Sequence, residues 1–390
     1  MPVIGNKLDG FTESIIRKMT RICNQYGAIN LSQGFPDFDP PKEITNSLKL
    51  VAKEGPHQYE ITWGSAEFRK KLAVKQKNFM GLDIDPDNEI VVTCGSTEAM
   101  MAAIMTACNP GDKVIIFSPF YENYMADAIL CGVEPIYVAL RPPCFNFDKE
   151  ELRAAFKQGV KALILCNPNN PTGKVFAYDE LKFIADLAEE YDAFVITDEV
   201  YEHIIFRPYK HTYFASLPGM FDRTISCSSL SKTYSITGWR LGYIIAPRYI
   251  IEGARKVHDF LTVGAAAPLQ KAVLAGLDLP LSYYETLQEQ YQSKRELFLA
   301  GLDELGLKYY EPQGAYFVMV DMSEFGFTSD ENLCYWLARE IGVGAVPGSS
   351  FFREPVNNYI RLHFAKKEET LKEALNRLEK LREIPEVYAI

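Results

Sequence analysis

Short apolar runs, each followed by a turn and a helical stretch, recur from Ile90 to Ala246, and this alternation constrains the fold more than any other feature. The runs are Ile90–Thr93, Lys113–Ser118, Pro135–Ala139, Ala162–Cys166, Ala193–Thr197, Thr224–Cys227 and Leu241–Ala246. They are short and apolar almost throughout, as strands buried on both faces are. Helical stretches run from the Gly95-Ser96-Thr97 turn to Ala107, from Tyr121 to Cys131, over Lys149–Phe156 and over Asp179–Tyr191. The pattern predicts an α/β fold whose large domain holds a mostly parallel seven-stranded sheet covered by helices.

The flanks differ in character. Residues 8–26 have apolar residues at helical spacing, and residues 42–54 and 65–80 also read as helices. Between them, the Pro- and Gly-rich stretch from Ile29 to Pro41 reads as an ordered loop in which Gly34 lets a ligand approach the backbone. Towards the C-terminus, helices at Tyr283–Leu305, Glu331–Ile341 and Glu368–Leu381 alternate with strands at Ala315–Asp321 and Tyr359–His363, as in a smaller α+β domain. The expected division is an N-terminal segment belonging partly to the small domain (1–45), the large domain (46–282) and the small domain (283–390). A chain of 390 residues with 47% hydrophobic residues has material for two cores.

Charge and cysteine usage exclude several function classes. The formal net charge is −10 and there is no long basic run, which argues against nucleic acid or an anionic membrane as partner. No stretch approaches the roughly 20 apolar residues of a membrane span, and Met1 to Gly10 lacks the apolar run of a signal peptide. The 8 cysteines are scattered singly, without a C-x-x-C pair. A disulfide framework or a metal site is not expected, and a reducing cytoplasm is.

Open α/β sheets bind ligands beyond the carboxyl ends of their strands, and four polar groups fall there. Gly95-Ser96-Thr97 opens a helix with free N–H groups and two hydroxyls, an anion site or an ordinary cap. Asn170 follows one buried run, and Asp198 with Tyr201 follows the next; both places also suit plain turn formers. Lys232 stands in the stretch Ser226 to Tyr243, among small hydroxylated residues, with Gly238 and Gly242 alongside. A lysine in a dry pocket loses its charge readily and attacks carbonyls. Ser229 and Arg240 can hold a phosphate, the arginine as a two-pronged donor. Alone, this stretch reads equally as a strand and loop with a surface Lys and Arg. The coincidence of all these groups at strand ends points to a cofactor site. A lysine for an aldehyde, a phosphate cradle, a carboxylate, and phenol and amide donors match pyridoxal 5′-phosphate. Asp198 would pair with the pyridine nitrogen, Asn170 and Tyr201 would bond the phenolate oxygen, and Tyr121 would stack on the ring. Lys232 would hold the aldehyde as a Schiff base and then move the substrate α-proton.

The chain resembles the fold-type I, class I/II aminotransferases over nearly its whole length. The resemblance rests on Asn167-Pro168-x-Asn170-Pro171-Thr172-Gly173, Asp198-Glu199-Val200-Tyr201, and Ser229-x-Ser231-Lys232 followed by Gly238-x-Arg240-x-Gly242. It implies the aspartate aminotransferase-like fold and the roles just given for Lys232, Asp198, Asn170 and Tyr201. It further implies Gly95, Ser96, Thr97, Ser229 and Arg240 at the phosphate, and Tyr59 as a phosphate ligand reaching across from a second subunit, hence a homodimer with shared sites. Arg361, in Tyr359-Ile360-Arg361-Leu362-His363, matches the family's binder of the substrate α-carboxylate, assisted by the Gly34 backbone and by Asn170.

Within the family, Gln33–Asp37, Ala215–Met220, Thr237-Gly238-Trp239 and Val257–Thr262 are most similar to the kynurenine/glutamine transaminase K and methionine aminotransferase branch. That resemblance implies amino transfer from aromatic amino acids, methionine, glutamine or similar to a 2-oxo acid. The expected pocket is aromatic: Phe35, Trp63, Tyr121, Tyr316 and Phe351. A dicarboxylate-specific enzyme needs a second cation, and His258 to Pro268 contains no Arg or Lys. Alternatives are a cysteine-conjugate carbon–sulfur β-lyase on the same cofactor, an aspartate-type aminotransferase, and a non-catalytic ligand-sensing domain. A dinucleotide dehydrogenase would need a G-x-G-x-x-G turn after the first strand, which the chain lacks.

Overall fold

Side chains of a buried strand alternate between two apolar layers, so each strand must find helices on both sides. The computed structural model, which describes residue 2 and residues 4–383, meets that requirement for each expected run. The N-terminal part holds α1 (Ile15–Tyr26), the two-residue β1 (Ile29–Asn30), α2 (Lys42–Glu54) and α3 (Ala66–Met80). There follow β2 (Ile90–Thr93), α4 (Ser96–Ala107), β3 (Lys113–Ser118), α5 (Asn123–Cys131), β4 (Glu134–Arg141), β5 (Asn146–Phe147), α6 (Lys149–Phe156), β6 (Ala162–Cys166), α7 (Tyr178–Glu190) and β7 (Phe194–Asp198). Next come β8 (Thr224–Ser229), the single-turn α8 (Leu230–Thr233), β9 (Gly242–Ile245), α9 (Arg248–Thr262) and α10 (Ala267–Leu277). The C-terminal part comprises α11 (Leu281–Glu304), β10 (Lys308–Tyr310), β11 (Phe317–Asp321), α12 (Asp330–Trp336), β12 (Val343–Gly344), β13 (Val346–Pro347), β14 (Tyr359–His363) and α13 (Glu368–Leu378).

The large sheet runs β2-β9-β8-β7-β6-β3-β4-β5. Its seven expected strands are present, and the eighth, β5, is two residues folded back on the end of β4. Six of the seven are parallel; β9 is antiparallel to both β2 and β8. The alternation is visible in β6 and β3. Ile164 and Ile116 face a layer built with α4, α5 and α9, whereas Leu163, Leu165 and Ile115 face a layer built with α6 and α7. At the other edge, Val92, Tyr243 and Ile245 pack on α3 and α10. The smaller sheet, β10-β11-β14-β13, is antiparallel and shares its core with α11, α12 and α13. Parallel pairing of β1 with β12 places the N-terminal segment against the C-terminal part.

Several element limits depart from the sequence reading. The expected helix over 8–26 is a 3-10 turn, Asn6–Gly10, followed by α1, because Ser14 caps the helix by accepting the Arg17 N–H. Helices α9 and α10, which no periodicity argument had singled out, cover the sheet beside β9. The helix expected through Ile341 changes at Leu337 to a single π turn.

One polar network lies in the interior beneath β8 and β9. Lys75 Nζ is 3.3 Å from Glu202 Oε1, and both side chains are almost wholly buried. Glu202 also accepts from Gln76 Nε2 (3.2 Å), Tyr213 OH (2.7 Å) and Tyr243 OH (2.9 Å). Burial opposes its charge, yet Lys75, His203 and these donors hold its carboxyl below the ordinary range. Removing one partner of such a pair strands the other without compensation. Lys75→Met therefore costs about 3–5 kcal/mol in chemical denaturation, and adding Glu202→Leu recovers most of the loss.

Candidate active site

Four strand ends and one short helix deliver polar groups to a single cavity of about 760 Å³. The turn after β2 brings Ser96 and Thr97; the loop after β6 brings Asn170. The end of β7 brings Asp198, with Tyr201 in the turn beyond, and the end of β8 brings Ser229, with Lys232 on α8. Arg240 enters just before β9 and Tyr121 just before α5. Gly34, on the N-terminal segment, and Arg361, on β14, close the cavity from the other side.

Backbone crowding explains the glycines. Gly242 pairs with Thr93 on one side and with Ser229 on the other. A Cβ on Gly242 would sit 2.4 Å from the Gly95 carbonyl carbon and 2.7 Å from the Ser96 amide nitrogen. Gly95 has φ +84°, and a Cβ there would lie 2.2 Å from Arg240 Nη2. The N-terminal turn of α4 and the Arg240 guanidinium therefore meet across a gap that a side chain would fill. Arg240 Nη1 donates to the Thr237 carbonyl at 3.0 Å, which aims the fork at that turn. Ser231, which lines the same cavity, has a buried hydroxyl without a hydrogen-bond partner among the described residues.

Asp198 is buried. It accepts the Tyr124 hydroxyl at 2.7 Å and the Val200 N–H at 3.3 Å. Burial raises its pKa, against the pull of Tyr124, the Val200 amide and Lys232. A desolvated carboxylate of this kind gains most from a cationic ligand. Lys232 Nζ donates to the Gly34 carbonyl at 3.0 Å and faces the rings of Tyr316 (5.6 Å) and Tyr201 (5.9 Å). Tyr316 OH donates to the same carbonyl at 2.8 Å. Gly34 is required there, since a Cβ would be 2.8 Å from the Tyr316 ring and 2.9 Å from the Phe317 ring.

Arg361 is 1% exposed and lies between the rings of Phe317 (4.1 Å) and Phe351 (4.6 Å). Its Nη1 donates to Asn170 Oδ1 and its Nη2 to the Ser32 carbonyl, both at 2.7 Å. Its Nε is buried without a partner, and among the described residues no carboxylate pairs with it. Burial lowers its pKa to about 10, partly offset by Tyr201 and Glu122. A planar, stacked, uncompensated guanidinium is a receptor for a carboxylate. Tyr121 is half-buried in the cavity wall, and desolvation there pushes its phenol up to about 12.

Two expected site residues lie elsewhere. Gly95 shapes the cradle without lining the cavity, and Tyr59 is 90% exposed on the surface, away from its own chain's cavity. Of the five expected pocket aromatics, Phe35 and Tyr121 line the cavity. Tyr316 and Phe351 stand behind Gly34 and Arg361, while Trp63 packs under the Arg255 guanidinium at 4.7 Å. The sequence reading missed Tyr124, Phe317 and Arg17. Tyr124 is one helical turn from Tyr121, and Phe317 shares a sheet face with Arg361 through the Met319–Arg361 pair. Arg17, on α1, lines the cavity and makes no side-chain hydrogen bond or ion pair among the described residues.

The donor set fits pyridoxal 5′-phosphate: a hydroxyl-rich helix N-terminus facing a guanidinium, a buried carboxylate short of a cation, and a lysine between two phenols. Comparison with known proteins agrees. The family model described as aminotransferase class I and II matches residues 26–378. The methionine aminotransferase of Escherichia coli (strain K12) is 37% identical over 377 residues, covering 96% of this chain and 98% of that protein. The human kynurenine–oxoglutarate transaminase 1 is 33% identical over 409 residues, covering 96% and 97%. The solved structure of N-succinyldiaminopimelate aminotransferase from Mycobacterium tuberculosis superposes with a TM-score of 0.93 at 34% identity, covering 97% of this chain and 100% of that one.

The crowding at Gly95 gives a direct test. Gly95→Ala forces Arg240 away from the α4 N-terminus, and loss of one charge-assisted contact weakens binding of pyridoxal 5′-phosphate by about tenfold or more. Titration followed by the cofactor's visible absorbance measures this; unchanged affinity would remove the Gly95–Arg240 gap from the phosphate site.

Proposed function

The chain belongs to the aminotransferase class I and II family, and on that premise we propose the residues that carry its chemistry and the substrates it takes. The activity itself is pyridoxal 5′-phosphate-dependent transfer of an amino group from an amino acid to a 2-oxo acid. When bound, the cofactor supplies an electron sink that acidifies the α-hydrogen of a bound amino acid.

In our reading Ser96, Thr97, Ser229, Arg240 and the backbone at Gly95 hold the phosphate. Asp198 pairs with the ring nitrogen, Asn170 and Tyr201 bond the phenolate oxygen, and Tyr121 covers a ring face. Arg361 binds the substrate α-carboxylate, with Asn170 and the Gly34 backbone beside it. Lys232 is the residue that carries the cofactor and takes the substrate α-proton on Nζ. The single observation that bears most weight is Arg361: buried, stacked between two rings, with one nitrogen unsatisfied and no carboxylate paired with it among the described residues. Lys232 is supported by its place in the cavity, facing the Tyr201 and Tyr316 rings and donating to the Gly34 carbonyl.

The donors we propose are methionine, aromatic amino acids, glutamine or similar, and the mechanism is ping-pong. Support comes from the aromatic and apolar walls at Ile16, Phe35, Tyr121 and Phe317 and from the methionine and kynurenine relatives. Arg17 adds what the His258–Pro268 stretch lacks, a second cation at the cavity, and supports a dicarboxylic 2-oxo acid such as 2-oxoglutarate as acceptor. A homodimer with Tyr59 reaching the partner's phosphate is proposed on the exposure of Tyr59 (90%) and of Phe260 (92%), the latter beside the cavity residues Leu261 and Thr262. The eight cysteines are all free thiols, which supports a reducing, cytoplasmic setting. No helix among the described residues is long and apolar enough to cross a membrane.

A panel of amino donors against several 2-oxo acids tests the substrate reading; turnover confined to aspartate and glutamate as donors would overturn it. Lys232→Ala should abolish turnover and the visible absorbance of the lysine-held cofactor, and normal activity would end this assignment. Arg361→Ala should raise KM for every amino acid several-fold to hundreds-fold, since a charge-assisted pair is worth roughly 1.5–3 kcal/mol. Arg17→Ala should raise KM for 2-oxoglutarate about two- to fivefold, as expected for a partly solvated ion pair, and leave a monocarboxylic acceptor unaffected.

A further inference from the structure

Beside the turn proposed to hold the phosphate lies a buried imidazole with no part in the roles assigned so far. His258, on α9, is fully buried. Its Nδ1 is 2.5 Å from Glu98 Oε1, and its Nε2 is 2.8 Å from the Thr62 carbonyl oxygen. A neutral imidazole has one N–H and can serve one acceptor; two acceptors call for the imidazolium. Burial works against that charge, but the Glu98 carboxylate and the Thr62 carbonyl outweigh it and raise the His258 pKa.

Each arm of this imidazolium reaches a segment of the cofactor site. Glu98 is the third residue of α4, and its Oε2 accepts the Cys94 N–H at 2.5 Å, one residue before Gly95. Thr262 Oγ1 donates to Glu98 Oε1 at 3.1 Å. Glu98 thus reaches back across the turn one residue further than a capping box does. The other arm fixes Thr62, three residues after Tyr59. Left alone, the Glu98 carboxylate would sit in the first turn of the helix that receives the phosphate, and like charges there oppose each other. Paired with His258, it braces the turn without that repulsion.

We propose that His258 is a positioning residue that, through Glu98, holds the Cys94–Thr97 turn in shape for the cofactor phosphate and, through Thr62, anchors the segment carrying Tyr59. This rests on the reading of that turn as the phosphate cradle. The structural alternative is that the pair merely joins α9 to α4.

The test compares pyridoxal 5′-phosphate with pyridoxal, which lacks the phosphate, in titrations of the full-length chain freed of cofactor. His258→Gln, which leaves Glu98 uncompensated, should weaken pyridoxal 5′-phosphate binding by about tenfold and leave pyridoxal affinity within about twofold. Glu98→Gln keeps an acceptor for the Cys94 N–H and should lose less. The double variant should bind pyridoxal 5′-phosphate no worse than Glu98→Gln alone, since the uncompensated charge is gone. Equal weakening toward both compounds, or additive losses in the double variant, would reduce the pair to a helix–helix tie and overturn the proposal. So would unchanged affinities in both single variants. A wild-type chain that binds neither compound would instead overturn the cofactor reading, and this inference with it.

Discussion

Strand register in the large sheet is the constraint on which the site depends. Cys166 pairs with Asp198, and Asp198 with Cys227, so β6 and β7 end in step and β8 runs two residues further, to Ser229. On the other side, Ser229, Gly242 and Thr93 form one row across β8, β9 and β2. These two rows set the carboxylate, the lysine-bearing helix, the guanidinium and the α4 N-terminus around one cavity. Side-chain direction alternates with each residue, so a slip of one position would turn Asp198 to the opposite face. That register is held by apolar packing on both faces, from Ile164, Ile196 and Ile225 on one side and Leu163 and Val195 on the other. Burial of ordinary aliphatic residues is therefore what fixes the geometry of the polar ones.

The same packing leaves charges short of partners where ligands enter. Among the described residues Asp198 is desolvated with two hydrogen bonds and no ion-pair partner, and Arg361 is desolvated with an idle Nε. Away from the cavity the fold does the opposite: Glu202 has a buried ammonium and several donors around it. The contrast separates function from structure. A buried charge with a full set of partners is explained by the fold, whereas one that lacks a counter-charge and faces a cavity is explained by a ligand.

Much of this was legible in the sequence, for physical reasons that differ by element. Strands β3 and β6 carry continuous apolar runs bounded by turn residues, and both limits were found to the residue. Groups such as Asp198 and Lys232 stood out because polar residues at strand ends have few structural uses in combination. What escaped depends on contacts distant in sequence. The two-residue strands β1 and β12 have no periodicity to detect and exist through their mutual pairing. The role proposed for Arg17 depends on α1 docking over the cavity, and that proposed for His258 on α9 packing against α4. Helix α9 itself carries Ile250, Ile251, Ala254 and His258 at helical spacing on its buried face, so it was legible from periodicity although the sequence reading did not assign it. Tyr59 shows the reverse case: it is 90% exposed, and its own chain's structure gives no account of the role the resemblance implies.

The groups we propose for the cofactor and those we propose for the substrate also draw on different parts of the chain. Asp198, Ser229 and Lys232 stand on or directly after strands bonded to neighbours on both sides. Gly34, Phe35, Ile16 and Arg17 stand on the N-terminal segment, which joins the C-terminal part through the two-residue pairing of β1 with β12 and through bonds such as Arg361 to the Ser32 carbonyl. On that proposal, a change in that segment would alter which side chain the cavity accepts and leave the register of the large sheet intact. A change at the strand ends would disturb the rows that position the other groups proposed for the cofactor. Selectivity in this chain can therefore vary largely independently of its chemistry, because the two rest on separate sets of backbone hydrogen bonds that meet at Gly34 and Lys232.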